Sequence, residues 1–349
     1  MFKNIVFAGT PEIASNLLKD LIANGYHITA VLTQPDRPKG RNQKLEPSAV
    51  KQIAIKHNLP VLQPTTLKNP IVIKHLQQLN PDLMIVFAYG LILPKEILNI
   101  PKFGCFNVHT SLLPKYRGAA PVQHTILNGE DTSGISIIKM DPNLDTGDIW
   151  HTIKCPVNVE ETTASLYKKL QPLATTAILY LLKNFNNINP KSQEHDLATY
   201  AHKIQKTNAK IDWSLTAVEI ERKIRAFIPT PVSFTEIKNY LSNQNETLPI
   251  RIWQAKILLD INDNVKLEAC NINPPHNNIN TTSNISNNKI SNMPGKILNI
   301  NKYGIEVVTG EGILILEKLQ FPGSKILKIG ELINSPKYKL LLEQSGNFV

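Results

Sequence analysis

The first half of the chain alternates short apolar segments with amphipathic ones, and this alternation most constrains its fold. Residues 83–88 (LMIVFA) form a continuous apolar run, which is typical of a strand buried on both faces of a parallel sheet. Further strands are predicted at residues 3–8, 27–33 and 104–109, with helical patterns between them. The alternation predicts an α/β fold with a Rossmann-like, doubly wound domain, whose ligands collect at the carboxyl ends of the strands.

The pattern changes from residue 209 onward. One helical segment is predicted at residues 216–227, and short strand candidates with turns between them follow. These strand candidates are residues 232–237, 251–259, 265–269, 295–299, 304–309 and 312–319. Many short strands with turns favour a small OB-like β-barrel.

A length of 349 residues fits about two domains. We expect an N-terminal domain over residues 1–189, a linker over residues 190–208 and a C-terminal domain over residues 209–349. Residues 271–293 are rich in Asn and low in complexity. Such composition predicts a disordered insertion in the C-terminal domain.

The composition excludes several classes of protein. An apolar fraction of 42% and a charged fraction of 19% are globular values. The longest apolar run, residues 83–93, is far shorter than the ~20 residues that span a bilayer. The first residues lack the features of a signal peptide, so we expect a cytoplasmic protein with no membrane partner. Cys105, Cys155 and Cys270 are too scattered for a disulfide framework or a zinc site, so we expect no metal.

Basic residues exceed acidic ones, 38 against 28, which only weakly favours a polyanionic partner. Their location is more informative. Residues 34–48 contain three prolines and one glycine and are predicted to form an exposed loop. This loop carries Arg37, Lys39, Arg41 and Lys44, and it is the first indication of phosphate contact. The early GTPE turn has one glycine where a dinucleotide fingerprint needs three, so no nucleotide cofactor is expected.

Three polar residues could carry chemistry. Asn107 and His109 are two apart on a predicted strand, so their side chains share one face. Asp145 lies in the turn-rich segment DPNLDTGD, and a carboxylate near His109 would orient the imidazole and hold one tautomer. No GxSxG elbow is present, so we expect the trio to serve an incoming nucleophile. From these residues alone, structural roles for all three stay open, because turns often use Asn and Asp.

Six motifs, in chain order, resemble those of the bacterial methionyl-tRNA formyltransferase family: FAGTPE, TQPDRPKGR, VFAYGLILP, NVH-SLLPKYRGAAP, LDTGD and IDWS. The similarity extends over nearly the whole chain apart from the Asn-rich insertion. It implies a Rossmann-like catalytic domain and an OB-type C-terminal domain that transfer formyl from the co-substrate 10-formyltetrahydrofolate to methionyl initiator tRNA. Neither DNA nor a metal is implied.

The NVH-SLLP…LDTG core is shared with other folate-dependent formyltransferases and hydrolases. A small-molecule acceptor is therefore one alternative, and a non-catalytic RNA-binding protein is another. The basic loop and the large second domain favour the tRNA substrate over a small amine.

The resemblance also implies roles for individual residues. Its catalytic residues fall on Asn107, His109 and Asp145. Its folate pocket falls on Tyr89, Gly90, Leu91, Ile92, Ser111, Leu112, Leu113, Pro114, Pro142 and Leu144. Its tRNA-binding loop falls on Arg37, Lys39, Arg41 and Lys44, with Arg41 foremost. The family usually has Gly after the histidine. Thr110 stands there in this chain, so the backbone must not need a positive φ at that position.

Replacement of Arg41 by Ala should weaken tRNA binding and reduce the slope of log K against log salt by about one, because one phosphate contact is lost. The measurement is a binding titration over a series of salt concentrations. Arg41→Lys, which keeps the charge, should keep the slope. Wild-type affinity of Arg41→Ala at every salt concentration would contradict the assignment.

Overall fold

The computed structural model describes residues 2–39, 43–240, 246–258 and 293–349. The chain divides into two compact units, Met1–Lys203 and Ile204–Val349. The first unit thus extends past residue 190, where the linker was predicted to begin. Arg41, the strand predicted at residues 265–269 and all but the last residue of the Asn-rich segment lie outside the described residues.

The first unit is built from strands and helices in alternation. Its strands are β1 (Ile5–Gly9), β2 (Ile28–Leu32), β3 (Arg37–Lys39), β4 (Lys44–Glu46), β5 (Val61–Leu62), β6 (Leu83–Phe87), β7 (Cys105–His109), β8 (Arg117–Gly118), β9 (Thr132–Lys139), β10 (Ile149–Pro156) and β11 (Tyr200–Ala201). Its helices are α1 (Glu12–Ala23), α2 (Ala49–Lys56), α3 (Pro70–Gln78), α4 (Lys95–Leu98), α5 (Pro121–Leu127) and α6 (Thr163–Asn184). Short 3-10 turns follow at Phe185–Asn187 and His195–Leu197.

A seven-stranded sheet forms the centre of this unit, in the order β10-β9-β7-β6-β1-β2-β5. The adjacent strands β7, β6, β1, β2 and β5 pair in parallel. At one edge, β9 pairs antiparallel with β7, and β10 pairs antiparallel with β9. Every residue of β1 and β6 is buried, because helices cover both faces of a parallel sheet. The prediction of a doubly wound α/β domain is confirmed.

The segment predicted as an exposed loop contains a two-stranded hairpin. Strand β3 pairs antiparallel with β4, with Arg37 opposite Glu46 and Lys39 opposite Lys44. The segment is exposed at Arg37, Pro38 and throughout β4, as predicted. The sequence did not indicate the strand pairing, because Pro38 and the dense charge are typical of loops. Proline is nevertheless tolerated in a two-stranded ribbon, where one side of each strand has no partner to which it must donate.

The second unit is mostly antiparallel β-structure. Its strands are β12 (Phe234–Lys238), β13 (Thr247–Ile257), β14 (Ile297–Asn301), β15 (Gly304–Val308), β16 (Ile313–Gln320) and β17 (Leu327–Lys328). Its helices are α7 (Ala217–Ala226), α8 (Ile329–Leu332) and α9 (Pro336–Ser345), and a 3-10 turn lies at Lys206–Ala209.

The second unit is a curled antiparallel half-barrel, which confirms the predicted OB-like class. Its strands pair in the order β12-β13-β16-β15-β14, with β17 added to β16. Helix α7 begins with a capping box, in which Thr216 and Glu219 satisfy each other's backbone N–H groups. The helix then buries Ile220 and Ile224 in the core of the curled sheet. Within the described residues, no helix is long and apolar enough to cross a membrane.

Truncation of Ile220 to Ala should lower the free energy of unfolding of the second unit by about 2–5 kcal/mol, because the side chain is fully buried. Val218 lies on the same helix and is 41% exposed. Its replacement by Ala should therefore change that free energy by less than about 0.5 kcal/mol. The measurement is urea unfolding of the full chain, and equal losses for the two variants would contradict the described packing of α7.

Candidate active site

Strand β7 carries two of the sequence-predicted residues toward the carboxyl edge of the sheet. Asn107 pairs with Val86 of β6 on one side and with Ile138 of β9 on the other. His109 is the last residue of the strand and is 4% exposed. Because alternate residues share a face, the carboxamide and the imidazole project to the same side.

The third residue, Asp145, joins this pair from the loop between β9 and β10. Its Oδ1 accepts a hydrogen bond from Asn107 Nδ2 at 3.2 Å. Its Oδ2 accepts one from the backbone N–H of Gly118 at 2.8 Å and lies 3.6 Å from His109 Nδ1. The structure therefore brings the three residues together around one carboxylate.

The tautomer of His109 is determined by a backbone carbonyl. His109 Nε2 lies 2.8 Å from the carbonyl oxygen of Tyr116. A carbonyl only accepts, so Nε2 carries a proton, and Nδ1 is the nitrogen that faces Asp145. The sequence analysis assigned control of the tautomer to Asp145. The structure corrects this, since 3.6 Å is too long for a hydrogen bond.

Hydrogen bonds fix both the side chain and the backbone of Tyr116. Its hydroxyl donates to Glu130 Oε1 at 2.6 Å and accepts from Asn128 Nδ2 at 2.9 Å. Burial, together with the bond to Glu130, raises the pKa of Tyr116 to about 12, so the ring stays neutral at physiological pH. Its backbone N–H donates to the hydroxyl of Thr199 at 2.9 Å. These bonds fix the carbonyl that binds His109.

Three of the six described non-glycine residues with positive φ lie in the segments that follow β6 and β7 or carry Asp145. Among the described non-glycine residues, φ is 49° at Ala88, 63° at Tyr116 and 54° at Asp145. A side chain makes the left-handed region unfavourable, and such residues persist where the surroundings impose them, often at functional sites. Thr110 is not among the positive-φ residues, so this chain tolerates a β-branched residue after the histidine.

The residues predicted to bind folate divide into exposed and buried sets. Ile92 is 86% exposed and Leu144, which precedes Asp145, is 58% exposed. Gly90 and Pro142 are also exposed, whereas Leu91, Leu112 and Pro114 are half-buried.

The buried members of this set are Tyr89, Ser111 and Leu113. Tyr89 is 2% exposed, and burial raises its pKa to about 12. Ser111 donates through Oγ to the carbonyl of Lys115 at 2.6 Å, and Leu113 donates its N–H to Ser136 Oγ at 3.1 Å. The bonds of Ser111 and Leu113 support the loop after β7. Because the Tyr89 ring is buried, a ligand at this edge would meet the backbone of Tyr89 rather than its ring.

The predicted basic residues lie on the β3–β4 hairpin. The side chains of Arg37 and Lys44 are exposed, and Lys39 lies in β3. Arg37 donates to Gln34 Oε1 at 3.1 Å. Within the described residues, no hydrogen bond or ion pair joins this hairpin to Asn107, His109 or Asp145.

A cluster of three polar side chains, Asp36, Lys51 and Gln63, fixes the base of the hairpin. Lys51 Nζ lies 2.7 Å from Asp36 Oδ2, and Gln63 Nε2 donates to Asp36 Oδ1 at 2.8 Å. These bonds hold the pKa of Asp36 below its ordinary value. Its partners lie 15 and 27 residues away along the chain, so the sequence pattern did not indicate this cluster.

The arrangement can stabilise a developing oxyanion and move a proton. One N–H of the Asn107 amide is bonded to Asp145, and its second N–H remains available as a donor. His109 Nδ1 is the ring nitrogen that faces Asp145 on the same side. Across the described ranges, no group of three His, Cys, Asp or Glu side chains could hold a metal ion.

The chain matches the formyl transferase family over residues 3–182 and the formyl transferase C-terminal domain over residues 203–337. A methionyl-tRNA formyltransferase from Legionella pneumophila is 44% identical over 338 residues, covering 96% of each chain. One from Pseudoalteromonas translucida is 42% identical over 332 residues, covering 95% of this chain and 93% of the relative.

Solved structures share the fold at lower identity. An N-formyltransferase from Helicobacter canadensis, in complex with folinic acid and dTDP-3-aminofucose, matches with a TM-score of 0.58 at 21% identity, over 90% of this chain and 99% of the other. HypX from Aquifex aeolicus, in complex with tetrahydrofolic acid, matches with a TM-score of 0.58 at 13% identity, over 97% of this chain and 47% of HypX.

Replacement of Gly147 by Ala should displace the loop that carries Asp145, because a Cβ there would overlap the carbonyl of Lys139. The expected loss is about 1–3 kcal/mol in the free energy of unfolding. An exposed residue of the same loop provides a control, and Asn143→Ala should cost less than about 0.5 kcal/mol. Chemical unfolding measures both values, and a Gly147→Ala variant as stable as the wild type would contradict this loop geometry.

Proposed function

Since this chain belongs to the formyl transferase family, we propose that it transfers the formyl group of 10-formyltetrahydrofolate to the α-amine of methionine on initiator tRNA. The observation that carries the proposal is the gathering of Asn107 and His109 around the Asp145 carboxylate. The full-length similarity to methionyl-tRNA formyltransferases supports the choice of acceptor.

The amine must be neutral to attack. A free α-amine has a pKa of about 7.7–8.0, so roughly a tenth is neutral at pH 7. Formation of the amine-to-formyl bond leaves negative charge on the formyl oxygen, and stabilisation of this charge is the harder step. The free N–H of Asn107 is placed to donate to it, and Asp145 fixes the amide before the reaction begins.

The reaction also moves one proton. As the new carbon–nitrogen bond forms and the bond from the formyl carbon to folate N10 breaks, the amine loses a proton and N10 gains one. His109 Nδ1 can accept the first and supply the second, since Nε2 keeps its own proton on the Tyr116 carbonyl. No covalent bond to the protein is needed.

The folate would lie against the exposed apolar side chains of the predicted folate-binding set. Ile92 and Leu144 offer apolar surface to a pteridine ring, and the backbone near Gly90 is open. Fused aromatic rings favour such a surface, with a few backbone groups to fix their orientation. This arrangement fits a folate co-substrate without a metal.

The acceptor end of tRNA would be held by charge. Arg37 and Lys44 are exposed on the hairpin, and Asp36 and Lys51 brace its base. Phosphate contacts position a nucleic acid without reading its sequence. Selection of initiator tRNA would then depend on an acceptor end that can be unstacked and drawn into the site, as single-stranded RNA recognition generally requires.

The deciding experiment supplies 10-formyltetrahydrofolate with initiator methionyl-tRNA, elongator methionyl-tRNA or a nucleotide-linked amino sugar. We expect rapid formylation of the initiator tRNA and much slower formylation of the other two acceptors. Preferred formylation of the amino sugar would contradict the proposed acceptor. Binding of tRNA with no transfer would contradict catalysis and favour a non-catalytic RNA-binding protein.

Replacement of Asn107 by Ala should lower the single-turnover rate of formyl transfer by about 10²–10³-fold, the usual effect of losing one oxyanion donor. Folate and tRNA affinities should stay near their wild-type values, which also shows that the variant is folded. Asn99→Ala, at the exposed end of α4, is the matched control. An unchanged rate in Asn107→Ala would refute the role of this amide.

A further inference from the structure

We propose that Gln193 is a positioning residue for formyl transfer, because its side-chain amide fixes the backbone of the loop that carries Asp145. The inference rests on the proposed function, since it concerns the same site. Gln193 lies in the segment that the sequence analysis took for a linker, yet it is only 6% exposed. It does not touch the reacting groups of Asn107 or His109 and would act through Asp145.

The nitrogen of this amide bonds to two carbonyls of the loop. Gln193 Nε2 donates to the carbonyl oxygen of Asp145 at 2.8 Å and to that of Gly147 at 2.7 Å. Both N–H groups of the amide are thereby used. Asp145 and Gly147 flank Thr146, so Gln193 bonds the backbone on both sides of this residue and fixes the turn that carries the Asp145 carboxylate.

The oxygen of the amide is held by a buried arginine. Arg117 is 2% exposed, and it donates to Gln193 Oε1 from Nε at 3.1 Å and from Nη2 at 2.7 Å. A guanidinium only donates, so the amide oxygen must face Arg117 and the nitrogen must face the loop. The orientation of Gln193 is therefore imposed by chemistry, and it cannot flip without losing four hydrogen bonds.

These contacts close a ring around Asp145. Arg117 precedes Gly118, whose backbone N–H donates to Asp145 Oδ2 at 2.8 Å. Strand β8, which consists of these two residues, thus fixes the Asp145 carboxylate directly and its backbone carbonyl through Gln193. β8 is itself paired in parallel with β11, with Arg117 opposite Tyr200 and Gly118 opposite Ala201.

The hydrogen bonds among Gly118, Arg117, Gln193 and the Asp145 loop explain how Asp145 keeps its strained backbone conformation. Its φ of 54° lies in the left-handed region, which a free loop would leave. The side chains of Leu144 and Asp148 on either side are exposed and give the turn little packing. Besides the bonds that Thr146 donates to Asp141 and Ser192 donates to Asp148, only Gln193 bonds the backbone carbonyls of Asp145 and Gly147 among the described side chains. Loss of these two bonds should move the Asp145 carboxylate away from Asn107 and His109.

Two reciprocal substitutions at adjacent positions test this. Gln193→Glu keeps the length of the side chain and an oxygen for Arg117, but it sets an oxygen against the carbonyls of Asp145 and Gly147. Glu194→Gln makes the opposite change at an exposed neighbour. Gln193→Met, which removes the polar atoms at similar length, is the second variant should Gln193→Glu not fold.

For Gln193→Glu we expect kcat for formyl transfer to fall by about 10–100-fold, as small displacements of reacting groups do. KM for both substrates should stay within about twofold. Amide hydrogen exchange at residues 145–147 should become faster, while exchange in β7 stays at the wild-type rate. Glu194→Gln should match the wild type in all three measurements.

A wild-type kcat in a folded Gln193 variant would overturn the proposal. So would a loss of thermal stability with kcat unchanged, because that pattern belongs to a purely structural residue. Failure of the proposed function looks different, since the wild-type protein itself would then transfer no formyl group. In that case the exchange rate at residues 145–147 still decides whether Gln193 holds the loop, and unchanged exchange would reject it.

Discussion

The Asp145 carboxylate is the group on which the rest of the site depends. One oxygen accepts from the Asn107 amide, and the other accepts from the Gly118 N–H and faces His109 Nδ1 at 3.6 Å. A carboxylate with two fixed donors is ordered before any substrate arrives, and preorganised polar groups need not reorganise during the reaction. Asn107 and His109 lie in strand β7, whereas Asp145 lies in a loop whose position depends on contacts from other segments.

Backbone groups, and residues far away in sequence, hold the side chains of this site in place. The Tyr116 carbonyl sets the tautomer of His109, and the Thr199 hydroxyl accepts a hydrogen bond from the backbone N–H of Tyr116. Gln193 holds the loop itself. The segment between α6 and the second unit therefore belongs to the first unit and supports the candidate site. The bonds of Gln193 and Thr199 to this site join residues 46 to 83 positions apart.

Much of this could be predicted from the sequence, for identifiable physical reasons. The period of a strand placed Asn107 and His109 on one face, and the buried run at β6 indicated a parallel sheet. Asp145 was found through its motif, because a turn-rich segment alone does not tell a capping Asp from a functional one. The contributions of Tyr116 and Gly118 could not be predicted, since backbone groups leave no side-chain signature. Gln193 stands in a polar stretch that resembles a linker.

The most direct test of the central claim is the single-turnover rate of formyl transfer for Asp145→Asn, with both substrates saturating. An amide at this position replaces one accepting oxygen with a donor, which opposes the N–H of either Gly118 or Asn107. The account predicts a rate about 10²–10³-fold below that of the wild type, with folate binding retained. A variant that transfers formyl at the wild-type rate would show that the carboxylate does not organise the reaction.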